Sequence, residues 1–98
     1  MIVHPAATRE ALDAAAWYFR RSPRSGLRFF ERLREAYAKV DAHPLRWPAY
    51  RRRTRHFKLR GFPYLVVYRL CKGDVFVLAV AHGKRKPAYW AKRLRDLR

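Results

Sequence analysis

Ninety-eight residues, 50% hydrophobic and 15% aromatic, suffice for one domain with a modest core and are too apolar for a disordered basic tail. Twenty-four Lys and Arg against seven Asp and Glu give a formal charge of +17, which opposes compaction by self-repulsion and points to a marginally stable free chain with an acidic partner. No apolar run approaches the ~20 residues of a membrane span, the start Met-Ile-Val-His-Pro is unlike a secretory leader, and the lone Cys71 excludes an internal disulfide. One cytoplasmic domain over residues 1–98, with Cys71 as a buried thiol, is the expectation.

Met1 to Val3 is predicted as a short edge strand. Thr8 is the predicted N-cap of a first helix, with Glu10 and Asp13 in turns where the helix dipole favours carboxylates. Leu12, Ala15, Ala16 and Phe19 fall at helical spacing, and Arg20 and Arg21 occupy the end that favours cations. Ser22-Pro-Arg-Ser-Gly26 reads as a five-residue connection, making the pair an antiparallel helical hairpin. In the second helix Leu27, Phe30, Leu33, Tyr37 and Val40 form one stripe, and Pro44 ends the helix near His43. Trp17, Tyr18, Phe29 and Phe30 are read as core.

From Pro48 the period changes to two. In Arg55 to Arg60, Phe57 and Leu59 point one way and His56, Lys58 and Arg60 the other. Tyr64 to Cys71 and Asp74 to His82 are almost wholly apolar, as strands covered on both faces are. Lys72-Gly73 suits a two-residue hairpin turn pairing Cys71 with Asp74. That register puts Leu65, Val67 and Arg69 on one face with Phe76, Leu78, Val80 and His82, with Tyr64, Val66, Tyr68, Val75, Val77, Ala79 and Ala81 opposite. Pro87 opens a closing helix with Trp90, Leu94 and Leu97 as its apolar stripe. The order is β-α-α-β-β-β-α, an α+β domain with a helical hairpin packed on a small, mainly antiparallel sheet.

Two constellations carry chemistry. Arg46, Arg51, Arg52, Arg53, Arg55, Lys58 and Arg60 contain no acid among them; guanidinium forks suit phosphate or carboxylate oxygens, and the interleaved Trp47, Tyr50 and Phe57 could stack bases. The second is His82, Lys84, Arg85, Lys86 and Tyr89. Cleaving RNA without a metal requires a base, an acid and cations; imidazole serves either proton role and arginine supplies electrostatic stabilisation. On the predicted register His82 shares a face with Arg69, and a cleft joins them. The alternative is a histidine that merely caps its strand. The histidines at 4, 43, 56 and 82, with one cysteine and no close carboxylate pair, predict no metal site and no cofactor.

With these residues in view, the chain resembles the RelE/ParE superfamily of toxins from type II toxin–antitoxin modules, over nearly its whole length. The pattern is a helical hairpin ending in His43-Pro44, the basic strand Lys58-Leu-Arg60, Phe62-Pro-Tyr64 leading into Val67-Tyr68-Arg69, and His82-Gly-Lys-Arg85 before a short helix. The resemblance implies a growth inhibitor held in a hetero-oligomer by a cognate antitoxin, one that is acidic where it meets Arg51, Arg52 and Arg53. It implies one of two targets: DNA gyrase, inhibited without a cleavage reaction, or the ribosome, where mRNA is cut. Lys58 and Arg85 match basic positions of the RelE active site. Leu65 stands where RelE carries an arginine, and Ala91 where it carries a tyrosine; Tyr89 lies two positions earlier. The missing cation tilts the expectation toward gyrase. The candidate catalytic set is His82, Arg85, Tyr89, Lys58 and Arg69. The candidate nucleic-acid or antitoxin contacts are Arg51, Arg52, Arg53, Arg55, Arg60, Lys84 and Lys86. A non-catalytic basic interaction module is the third possibility.

Overall fold

The computed structural model describes residues 1–97. Strand β1 (Ile2–Val3) leads into helix α1 (Pro5–Arg21) and helix α2 (Pro23–Ala42), then a one-turn 3-10 segment (Arg51–Arg53), strands β2 (Arg55–Lys58), β3 (Tyr64–Cys71) and β4 (Asp74–His82), and a closing 3-10 helix (Ala91–Asp96). The sheet order is β1-β4-β3-β2. β1 runs parallel to β4 and the other pairs are antiparallel. The α+β class and element order are those expected, with the closing helix in 3-10 form.

Helix α1 begins one turn before Thr8. Pro5 supplies a φ already suited to a first turn, and the His4 side chain caps it, its Nδ1 accepting from the Ala6 amide at 3.0 Å. The earlier start places Glu10 mid-helix rather than in the first turn. The buried face is Ala7, Ala11, Ala14 and Ala15, small side chains that let α1 lie close to the sheet. Leu12 and Phe19 are exposed instead. The same displacement occurs in α2, whose buried stripe is Gly26, Phe29, Leu33, Ala36 and Val40, with Leu27 58% exposed. Phe29 is the inward ring because Tyr18, Phe62 and Tyr64 close around it at 5.3–5.5 Å between centroids. Trp17 and Phe30, expected in the core, are exposed.

The helices are joined by one residue, not five. The Ser22 amide donates to the Tyr18 carbonyl at 3.0 Å, closing α1, while its Oγ accepts from the Ser25 amide at 3.0 Å, opening α2. Pro23 follows at the first helical position. Gly26 permits the tight approach, since a Cβ there would lie 2.2 Å from Cγ of Phe19.

Lys72 and Gly73, at φ 51° and 84°, form the β3–β4 turn with Cys71 opposite Asp74, as expected. Cys71 itself is half-buried rather than fully enclosed. Farther along, the register slips: Tyr68 pairs with Val77 but Val67 with Ala79, leaving Leu78 as an extra residue in β4. A bulge of this kind turns two consecutive side chains to one side, and Leu78 and Ala79 are both packed with Val67. Beyond the bulge the faces of β4 exchange. Val80 joins Val66 under the helices, and His82 stands opposite Tyr64. The expected pairing of faces therefore holds only between the turn and Leu78.

The helical hairpin covers one face, over Val66, Tyr68, Val75, Val77 and Val80. The C-terminal segment covers the other. Trp90, 1% exposed, buries Val67, Leu78, Ala79 and Ala81, with Leu94, Leu97 and Tyr50 at the margin. Both central strands are thus enclosed, which explains their continuous apolar sequences.

Candidate functional site

β1 covers β4 only at Phe76 and Val77. Farther along that edge the gap is filled by side chains rather than by a strand. Oε1 of Glu10 accepts from the Val80 amide at 3.1 Å, and Nη1 of Arg93 donates to the Leu78 carbonyl at 2.9 Å. The two side chains also pair bidentately at 2.8 and 2.9 Å, each 18% exposed. The Tyr89 hydroxyl donates to Oε2 of Glu10 at 2.5 Å. One carboxylate thus joins α1, the β4 edge and the C-terminal segment. Burial first, then the bond to Glu10, hold the Tyr89 phenol protonated far above its ordinary range. Burial and the Glu10 charge likewise push Tyr37 up to about 12. The bond to Glu10 raises Arg93 further.

Beside this network lies a cleft of about 530 Å³ between α1 and the end of the sheet, lined in part by Asp13, Trp17, Tyr64, His82, Arg85 and Tyr89. Three of the predicted residues, His82, Arg85 and Tyr89, are brought together here. The Arg85 guanidinium lies 3.9 Å over the Tyr89 ring. His82 packs edge-on against Tyr64 at 5.1 Å, and its Nδ1 accepts from the Lys84 amide at 3.0 Å. That amide fixes the other ring nitrogen, Nε2, as the donor of a neutral imidazole.

Arg69 and Lys58 belong elsewhere. The bulge puts His82 on the helix-covered face, whereas Arg69, opposite Phe76, stays on the other, so the expected His82–Arg69 cleft does not exist. The Arg69 guanidinium donates to the Arg52 carbonyl and props the loop before β2. Nζ of Lys58 donates to the carbonyls of Leu59 and Phe62, both at 3.2 Å, closing the β2–β3 turn.

The basic segment divides by role. Arg55 donates from Nη1 to the Leu45 and Trp47 carbonyls at 3.3 and 2.7 Å, and Arg60 reaches Glu35 at 3.5 Å. Arg51, Arg52 and Arg53 are exposed, as are Lys84 and Lys86. The aromatics read as base-stacking platforms are engaged in packing. Trp47 lies edge-on to Phe57 at 4.6 Å, and Tyr50 packs on His56 at 4.6 Å and on Trp90 at 6.3 Å. His56 is held below its ordinary pKa by burial, with its Nδ1 lacking a hydrogen-bond partner.

A two-helix hairpin on a mixed four-stranded sheet, closed by a short C-terminal segment, is the frame in which these groups sit. Residues 1–87 match the family model described as the ParE toxin of the type II toxin-antitoxin system parDE. The chain belongs to this family. No curated protein matches it. It is thus the toxin of a type II module, whose partner is a cognate antitoxin. No described helix is long and apolar enough to cross a membrane.

Sequence reasoning missed the centre of the toxin's network, Glu10 with Arg93. Glu10 follows Ala7 by three residues and precedes Ala14 by four, so it borders the buried alanine stripe. A carboxylate in that position requires a partner, but the stripe was not recognised because Leu12 and Phe19 outweighed the alanines.

Proposed function

We propose that this toxin acts on DNA gyrase by contact, without a cleavage reaction of its own. The observation that carries the reading is the engagement of Tyr89, whose hydroxyl is given to Glu10 at 2.5 Å and whose ring lies under Arg85. A phenol so placed is a poor proton donor or acceptor near neutrality. The other candidates lie apart. Lys58 serves two carbonyls, Arg69 serves the Arg52 carbonyl, and Leu65 provides no cation where RelE-type toxins carry one.

The test is to relax a plasmid and follow its supercoiling by purified gyrase with and without the toxin, alongside cell-free translation. The expected result is blocked supercoiling while translation continues on intact mRNA. Unimpaired supercoiling together with cuts at codon spacing would refute the proposal. One observation favours that second, ribonuclease reading: His82 and Arg85 line a single cleft, which would supply a proton carrier beside a phosphate-binding cation.

A further inference from the structure

Arg52 and Arg53 both have left-handed backbones, at φ 58° and 59°, a conformation that is strained for residues other than glycine. The turn is held there from several sides. The Tyr50 amide donates to the Thr54 carbonyl at 2.8 Å, and the Thr54 amide and Oγ1 donate to the Arg51 carbonyl at 3.2 and 2.5 Å. The Arg69 guanidinium grips the Arg52 carbonyl. Thr54 itself is 2% exposed. Three adjacent arginines are thereby displayed on a fixed turn rather than on a loose loop.

These cations have no acids of their own. Glu10 is held by Arg93, Glu35 by Arg32, Lys39 and Arg60, Asp41 by the Met1 amine and Asp96 by His4. Among the described residues no ion pair engages Arg51, Arg52, Arg53 or Lys86. Lys86 belongs to the same surface: Tyr50, next to the arginine turn, borders a small hollow with Arg85 and Lys86. This is the sheet face away from the helical hairpin.

We infer that the arginine turn and Lys86 bind the phosphodiester backbone of duplex DNA. Guanidiniums presented from a fixed backbone suit phosphate oxygens and draw affinity from released counterions. Single strands are the poorer fit, because they rely on free aromatic rings and Tyr50, Trp47 and Phe57 are packed. An acidic protein segment also fits less well, since a protein interface buries a core of apolar and aromatic side chains. Five of the nine exposed large apolar side chains, Leu12, Trp17, Phe19, Leu27 and Phe30, lie on the helices, with Leu45 and Leu70 outside them. The inference does not rest on the gyrase reading.

The experiment is fluorescence anisotropy of labelled duplexes of unrelated sequence, titrated with the full chain across a salt series. Three variants are compared: the triple Arg51→Glu/Arg52→Glu/Arg53→Glu, the single Lys86→Glu, and a charge-matched control, Arg9→Glu/Arg24→Glu/Arg28→Glu, on the helices. Circular dichroism verifies that each is folded. The turn triple should weaken binding at least tenfold more than the control and flatten the slope of log affinity against log salt by about 2 to 3, near 0.9 per lost phosphate contact. Lys86→Glu should weaken binding severalfold, without disturbing the turn. Equal losses from the two triples would assign the affinity to diffuse charge and overturn the inference. Tighter binding of single-stranded RNA, or of an oligoglutamate peptide, through the same arginines would also overturn it. Since gyrase is absent from the assay, such a failure leaves the proposed target untouched.

Discussion

Replacing Glu10 by Gln removes one negative charge from a site where two side chains and a strand edge depend on it. Glu10 and Arg93 are each 18% exposed and paired bidentately, and the same carboxylate receives the Tyr89 hydroxyl and the Val80 amide. Losing one partner of a buried pair costs about 3–5 kcal/mol, because the other charge is left uncompensated. Residual solvent at this site lowers the expectation to about 2–3 kcal/mol. A chain of this size has a total stability of about 5–15 kcal/mol, so the loss is a large share of it. The midpoint of thermal unfolding should fall by roughly 10–20 °C. Urea denaturation followed by circular dichroism gives the free energies. A double-mutant cycle with Arg93→Met then isolates the pair, with an expected coupling of about 1–3 kcal/mol. A cost for Glu10→Gln below about 0.5 kcal/mol, with no coupling to Arg93, would show that the carboxylate closes the β4 edge in geometry but not in energy.

Gly26→Ala should destabilise the toxin by about 1 kcal/mol despite the better helix propensity of alanine, because the new methyl meets the Phe19 ring; in a Phe19→Ala background the same change should stabilise it, and a loss in both backgrounds would refute the steric account. Burial lowers the His56 pKa, so the folded state binds fewer protons than the unfolded chain near pH 6. Its contribution is full above the ordinary histidine range and is lost as pH falls through the folded value. Urea stability should accordingly drop between about pH 7.5 and 5 and less steeply in His56→Phe; equal slopes would remove His56 as the cause. Tyr37 has the opposite sign. Its pKa, raised to about 12, gives stability present below the ordinary phenol value and lost as pH climbs toward 12, a loss that Tyr37→Phe should reduce in alkaline denaturation. Tyr89→Phe should cost about 1–2 kcal/mol through the orphaned Glu10 acceptor, while arrest of growth on induction without antitoxin persists; loss of toxicity in a variant that remains folded would restore Tyr89 as a catalytic candidate.

The element order was readable because turn chemistry and period speak plainly here: Pro44 and Lys72-Gly73 mark boundaries that the structure keeps. Helix faces were legible only in part, Ala15, Phe29, Leu33 and Val40 being buried as read. Leu12, Phe19, Leu27 and Phe30 have the right spacing and the stronger hydrophobicity, but the sheet accepts a close-lying alanine face on α1 and Phe29 from α2. Volume at the contact, which periodicity does not encode, decided between the two stripes. The bulge was equally hidden, since Leu78 and Ala79 are as apolar as their neighbours and nothing local marks the extra residue. The candidate site suffered directly. Grouping His82 with Arg85 and Tyr89 survived because they are close in sequence, whereas pairing His82 with Arg69 required a parity that the bulge breaks. Glu10 and Arg93, 83 residues apart, could not be matched by spacing at all.

The extra leucine in β4 has a wider consequence. Because the strand takes it up as a bulge, the pairing on either side is that of a regular ladder, and the terminal imidazole stays on Tyr64's side of the sheet. Removing Leu78 would leave Val80 opposite Val66 and His82 opposite Tyr64, whereas ironing out the bulge with Leu78 retained would turn His82 to the face that carries Arg69 and Lys58. Within such an architecture, gaining or releasing a bulge, rather than losing a residue, is the short route between two arrangements of the same side chains.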